Sequence, residues 1–317
     1  MSGAGGGRER PRALCVVHLV RSGAGTEPLG RFLTSYREHP AGVEHDLVLL
    51  YKGFDSASAA AEHRELAGDL PVEELFVSDQ GFDLTAYATA ADSLNAARYC
   101  FLNSHARILA ANWLTHLDSA LSAPGAGLAG ASGSWASIVS YGLFHLGLPS
   151  AYRRVYGDRR STVRAFAELD RERTGTPADI SAPRRSVYTA LSLAGAAVGF
   201  ERFPAHHLRT NAFIIDHGVF AEVGQAALRR KVQAHRLESG RDSITRRVER
   251  LGLDALVVDR DGLSYAHADW PSSETFWQGA QGGLLVADNQ SEDYQRAGSE
   301  RRLLLSRYAW GDQAAPR

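Results

Sequence analysis

Asn103 and His105 stand two residues apart where the apolar run RYCFLN gives way to SHARILAANWL. Residues at i and i+2 of an extended chain point to the same side, so these two side chains can grip one ligand or one ion. Neutral imidazole is a good ligand for Mn²⁺-like ions, and an amide carbonyl is a hard but uncharged oxygen donor. The alternative use of the same groups is a turn in which both cap neighbouring backbone. His206 and His207 are adjacent, so on an extended chain they face opposite ways and cannot easily share one metal. The HExxH and HxxEH spacings of zinc hydrolases do not occur. Neither do GxxxxGK[ST] and GxSxG, and although Gly23 and Gly25 follow the first apolar run, the third glycine position of GxGxxG is Pro28.

The elements that must position the triplet follow from periodicity. Ala13 to Val20, ALCVVHLV, is a short β-rich run followed by a loop. Leu29, Phe32, Leu33 and Tyr36 then fall at i, i+3, i+4 and i+7, an amphipathic helix with Pro28 in its first turn. EHDLVLLY and VEELFVS are further strands around the helical SASAAAEHRELAG, and the order β, α, β, α, β predicts a mainly parallel sheet. From Gly81 a loop enters a helix, RYCFLN is the next strand, and Asn112 is a candidate N-cap for a helix carrying Trp113, Leu114, Leu117 and Leu121 on one face. The triplet thereby falls at a carboxyl edge of the sheet, where open α/β sheets bind ligands. Residues 151–200 turn Arg-rich and helical, an insertion or helical subdomain. Strand-like sequence resumes at TNAFIIDHGVF, Asp242 or Ser243 opens a helix ended by Gly252, and DALVVDRDGLSYA reads as a strand, a turn and an extended segment.

The chain has 317 residues, a hydrophobic fraction of 44%, a charged fraction of 22% and a net charge of -1. These values belong to an ordinary globular protein and give no global field favouring nucleic acid or an anionic membrane. Cys15 and Cys100 both sit in apolar runs, which predicts free thiols in a reducing, cytoplasmic setting. No apolar run of about 18 residues appears, so no transmembrane segment is expected. Residues 1–12 read as a disordered Gly/Arg tail and 286–317 as a C-terminal extension.

FLNSHARILAANWL resembles the motif of GT-A glycosyltransferases in which a strand ends in a D-x-D or D-x-H triplet. It is similar to the Asp-Ser-His of polypeptide N-acetylgalactosaminyltransferases, which is followed by a tryptophan helix, and more broadly to family 2 glycosyltransferases. The resemblance runs from about Ala13 to Trp270 with the Arg-rich insertion excluded. It implies a GT-A-like mixed, mainly parallel α/β sheet flanked by helices over 13–285. It also implies a nucleotide-diphospho-sugar donor and a divalent metal, Mn or Mg, held against the diphosphate at Asn103 and His105. Asn103 departs from the family's Asp. Losing one full charge at about 4 Å removes roughly 4 kcal/mol of attraction at an effective dielectric of about 20.

Other roles come from the same resemblance. Asp83 falls in the donor-nucleotide segment, where it accepts from a ribose hydroxyl or base, or else caps the helix near Thr85. Arg209 suits a bidentate phosphate contact, or else it pairs with a surface carboxylate. Glu238 falls at the x-E-D position, with Ser239 where the second acid stands, as the general base or else a helix cap. Arg241 would keep it ionised or touch phosphate, and His267 stands where a late metal- or phosphate-contacting histidine is expected. The implied activity is transfer of a sugar to a hydroxyl of a glycan or other acceptor. The alternative is a catalytically silent GT-A-like scaffold that binds a nucleotide or glycan.

Overall fold

A computed structural model describes residues 12–145, 155–158, 160–162, 164, 199–224, 228 and 230–314. The Arg-rich insertion expected at about 151–200 lies largely outside the described residues, as does the tail up to residue 11.

The chain opens β1 (Arg12–Arg21), α1 (Glu27–Glu38), β2 (Asp46–Lys52), α2 (Ala61–Ala67), β3 (Val72–Val77), α3 (Asp83–Ser93) and β4 (Ala96–Leu102). It continues with β5 (Arg107–Ile108), α4 (Trp113–Leu121), β6 (Ala126–Gly130), β7 (Gly133–Ser134) and α5 (Ile138–His145). Further along come β8 (His207–Leu208), β9 (Ala212–Asp216), α6 (His217–Val223), α7 (Lys231–Ser239), α8 (Ile244–Arg250), β10 (Asp254–Val258) and β11 (Ser264–Tyr265). The end is β12 (Val286–Ala287), α9 (Asn289–Arg296) and α10 (Ser299–Trp310).

Eight strands form one sheet in the order β11-β10-β6-β9-β4-β1-β2-β3. β1 pairs in parallel with β2 and β4, β2 with β3 and β6 with β10, while β9 runs antiparallel between β4 and β6 and β11 antiparallel to β10. This is the mixed, mainly parallel sheet flanked by helices that the sequence pattern predicts. Both faces of β1 are covered, which is why it reads as an unbroken apolar run. Cys15, Val17 and Leu19 face one core with α3, and Leu14, Val16 and Val20 face another with α1 and α4. In α1 Leu29, Phe32 and Leu33 are buried. Emptying the Phe32 position to Ala would cost about 3–5 kcal/mol by the usual cavity penalty.

The last segment, expected as an extension, is packed into this body. β12 pairs antiparallel with β5 just after the triplet, and Trp310 is fully buried with its Nε1 donating to the Phe276 carbonyl at 2.6 Å. Among the described residues no helix is long and apolar enough to cross a membrane.

Candidate functional site

The carboxyl ends of β1, β2, β3 and β4 bring one set of charged groups together. Arg21 ends β1, and its Nη1 lies 3.9 Å from Asp83 Oδ1. Lys52 ends β2 and is 2% exposed. Its Nζ donates to the Asp79 carbonyl at 2.9 Å and to Asp79 Oδ1 at 2.8 Å, tying down the 79–81 loop. Gly81 in that loop has φ +75°, and a Cβ there would meet Thr85 Oγ1 at 2.6 Å. The left-handed backbone and the close approach both require glycine, and they set the angle at which α3 begins.

Asp83 is the first residue of α3, not its cap; Phe82 precedes the helix and Asp83 makes no capping bond. Burial raises its carboxyl above the ordinary range, Arg21 pulls it back, and the charge of Glu238 raises it further, with Lys52 and His105 lowering it. One carboxylate therefore stands within electrostatic reach of Arg21, Lys52, His105 and Glu238. Tyr87, one turn along α3, is fully buried and stacks on Phe101 at 4.7 Å. Its hydroxyl has no hydrogen-bond partner among the described residues. Burial, then the charges of Asp83 and Glu238, raise that phenol well above its usual range. Beside this cluster a cleft of about 710 Å³ is lined by Phe76, Ser78, Gln80, Gly81, Thr85 and Leu228.

The triplet lies at the same edge. The Asn103 N–H donates to the Asn211 carbonyl at 2.8 Å, and the His105 N–H donates to Asn103 Oδ1 at 3.1 Å. Asn103 thus closes a turn over its own backbone, as Asn does two residues ahead of a free N–H. Ser104 is buried and His105 exposed. As folded, the triplet does not fit a protein-held Mn²⁺ or Mg²⁺. Hard cations favour charged oxygens, and here the amide oxygen is uncharged and already accepts one hydrogen bond, and among the described residues no carboxylate is hydrogen-bonded or ion-paired to the triplet.

Below the triplet lies a buried polar network. Ser132 Oγ donates to Asn211 Oδ1 at 2.8 Å, and Arg209 Nη2 donates to Asp288 Oδ2 at 2.6 Å. The Arg209 guanidinium also lies 3.8 Å from the centre of the Phe276 ring. Arg209 therefore pairs with a carboxylate, but with a buried one and not with the surface carboxylate expected.

Glu238 sits in the last turn of α7, 3.4 Å from His235 Nδ1 and about one-third exposed at 34%. It does not cap the following helix, because Ser243 does so by accepting from the Arg246 N–H at 3.3 Å. Arg241 Nε donates to the Phe200 carbonyl at 3.1 Å, and among the described residues Arg241 forms no ion pair with Glu238. His267 stacks on His206 with ring centres 4.4 Å apart, and Glu249 Oε1 lies 2.6 Å from His206 Nε2. His105 and Glu238 therefore both lie within electrostatic reach of Asp83. Arg209 lies beneath the triplet, Arg241 is pinned to residue 200, and His267 joins His206 and Glu249.

Sequence reasoning passed over Arg21, Lys52 and Tyr87. The available signals were a cation at the last position of β1, the same at β2, and the helical i+4 spacing from Asp83 to Tyr87.

No family model matches the sequence, and no curated protein matches it. Solved structures resemble the fold in part. The mannosyltransferase PcManGT from Pyrobaculum calidifontis, in complex with GDP-Man and Mn²⁺, aligns at TM-score 0.42 and 10% identity, covering 84% of this chain and 61% of that one. GalNAc-T7 with UDP, GalNAc and Mn²⁺ aligns at TM-score 0.31 and 18% identity, over 38% of this chain and 23% of that one. S. aureus TarS 1-349 in complex with UDP-GlcNAc aligns at TM-score 0.30 and 12% identity, over 37% of this chain and 33% of that one. The chain thus spans less than two thirds of the length of each. TM-scores below 0.5 mark partial likeness, so the chemistry has to be read from the residues of the site itself.

Proposed function

We propose that this protein is a glycosyltransferase that moves a sugar from a nucleotide-diphospho-sugar to a hydroxyl acceptor at the carboxyl edge of β1 to β4. The observation that carries this reading is that Arg21 Nη1 lies 3.9 Å from Asp83 Oδ1, with His105 and Glu238, from two further segments, within electrostatic reach of the same carboxylate. The nucleoside lies along the cleft beside Gly81, with Asp83 accepting from a ribose hydroxyl. The diphosphate faces Arg21 and His105. Among the described residues the half-exposed Arg21 holds only a long contact to Asp83, which leaves its fork able to take phosphate oxygens in pairs. Glu238 accepts the proton of the acceptor hydroxyl as that oxygen bonds to the anomeric carbon and the bond to the diphosphate breaks. The cations at the edge stabilise the charge that develops on the departing group.

This charge balance needs no ion held by the triplet. The resemblance implies Mn²⁺ or Mg²⁺ at Asn103, His105 and His267, but the engaged amide of Asn103 and the separate position of His267 do not favour that set.

The same features support a second reading, a catalytically silent domain that binds a nucleotide or glycan. Calorimetric titration with UDP, GDP, dTDP and their common sugar conjugates, with and without Mn²⁺, tests the site on wild type and His105→Ala. Binding of one nucleotide that is lost in the variant supports it, and failure of every nucleotide to bind refutes it. Glu238→Gln separates the two readings. A transferase should lose turnover by about 10²–10⁴-fold, the usual contribution of a general base, while keeping its donor affinity. A silent domain shows no turnover in wild type.

A further inference from the structure

His206, Glu249 and His267 come from three segments that are distant in sequence: the entry to β8, helix α8 and the loop after β11. One ligand atom from each lies within 4.8 Å of the others. From this geometry we infer a second site, separate from the triplet, that binds a borderline divalent transition metal of the zinc class through two imidazoles and one carboxylate.

The arrangement around His206 Nε2 is internally frustrated. Glu249 Oε1 stands 2.6 Å from this nitrogen and Arg246 Nη1 stands 2.8 Å from it. A ring nitrogen either carries one proton or offers one lone pair. With a proton it satisfies Glu249 and opposes the guanidinium; without one it satisfies Arg246 and opposes the carboxylate. A cation bound at the lone pair and shared with Glu249 resolves the conflict. Arg246 can yield His206, because it also pairs with Glu201 and donates to Glu249 Oε2 at 3.1 Å.

The donor set of two nitrogens and one carboxylate oxygen is a familiar one for zinc, with a fourth position left to water. Ligand atoms around a tetrahedral zinc stand about 3.4 Å apart, which follows from metal–ligand distances of about 2.1 Å. The widest separation, up to 4.8 Å, must close by up to about 1.4 Å, while Glu249 Oε1, 2.6 Å from His206 Nε2, must back off by about 0.8 Å. It can do so because His267 is exposed and its ring, now stacked flat on His206 at 12°, is free to turn. His206 is 13% exposed and Glu249 27%, so the other two ligands are already held in place. The Trp135 Nε1–H fixes the His267 backbone through its carbonyl at 3.2 Å. A bound ion would cross-link the three segments.

This inference does not depend on the glycosyltransferase reading. The test is a Co²⁺ titration of EDTA-dialysed full-length protein, followed by visible absorption and by the melting temperature with Zn²⁺. The expected result is one equivalent of Co²⁺ giving four-coordinate d–d bands that Zn²⁺ erases, together with a rise in Tm on adding Zn²⁺. Both signals should vanish in His267→Ala, whose side chain is exposed and outside the core, and in Glu249→Gln. Absence of the bands in wild type overturns the proposal, as does their persistence at full strength in His267→Ala.

Discussion

Replacing Arg209 by Met asks whether this arginine anchors the fold or binds a phosphate. Its guanidinium is 10% exposed and the Asp288 carboxylate 2% exposed, at 2.6 Å. Burial alone would raise the Asp288 carboxyl, but the Arg209 charge and the hydrogen bonds from Arg209 and Ser291 outweigh it and hold the group below its usual range. Removing one member of such a pair leaves a buried charge and costs about 3–5 kcal/mol. The loss should fall near the lower end, because Asp288 Oδ1 keeps the Ser291 N–H at 3.0 Å and continues to cap α9. Met fills much of the volume but forfeits the cation–π contact with Phe276. Urea unfolding at pH 7 should therefore show a loss of about 3 kcal/mol, and Arg209→Met/Asp288→Asn should recover most of it by removing the stranded charge. The sign with pH is fixed: a carboxylate depressed in the fold adds stability above its unfolded pKa of about 3.9, and that contribution fades as pH falls through the lower folded value. The gap between wild type and Arg209→Met should narrow as pH falls, beginning above about 3.9 because the stranded Asp288 carboxyl of the variant takes up its proton sooner. An unchanged unfolding midpoint at pH 7, coupled with lost nucleotide affinity, would refute the anchoring role.

His18 is fully buried, stacks on Phe32 with ring centres 3.7 Å apart, and has no partner for either ring nitrogen among the described residues. Burial, with a lesser push from His105, brings its pKa down to about 3. The unfolded chain takes up a proton below about pH 6.5 that the fold refuses, so His18 should cost about 2 kcal/mol of stability between pH 7.5 and pH 5. His18→Phe should flatten that slope, and unfolding curves at the two pH values that keep the wild-type difference would exclude the idea. For Asp83 the carboxyl is raised in the fold, so its ionisation opposes folding above its unfolded pKa. Asp83→Asn should accordingly stabilise the protein at pH 7 and do nothing near pH 2, as thermal melts at both values would reveal. Arg21→Gln should weaken nucleoside-diphosphate binding about tenfold to a hundredfold, the worth of a charged hydrogen bond. Calorimetry returning wild-type affinity would remove Arg21 from the site.

The order of strands and helices through α4 was written in local periodicity. Both faces of β1 are covered, so Ala13 to Val20 had to be continuously apolar, and α1 shows its buried face as Leu29, Phe32 and Leu33. The position of the triplet at a carboxyl edge followed from the same order. Its turn was also foreseeable, because an Asn reaching an N–H two residues on is a local event.

The pairing of distant side chains was not foreseeable from local sequence. Arg209 suited a phosphate or, rather more, a surface carboxylate, and only the approach of β12 and α9 brought the buried Asp288 to it. Residues 286–317 read as an extension because the partners of α10, among them Phe276 for Trp310 and Trp135 for Ala309, lie in loops without periodicity. His206 was set aside because its neighbour His207 faces away, yet the ring that stacks on it belongs to His267. Periodicity reports which face of a segment is buried, and this the sequence determined by itself. Which charge meets which depends on how the loops between strands return across the sheet edge, and that only the tertiary structure decided.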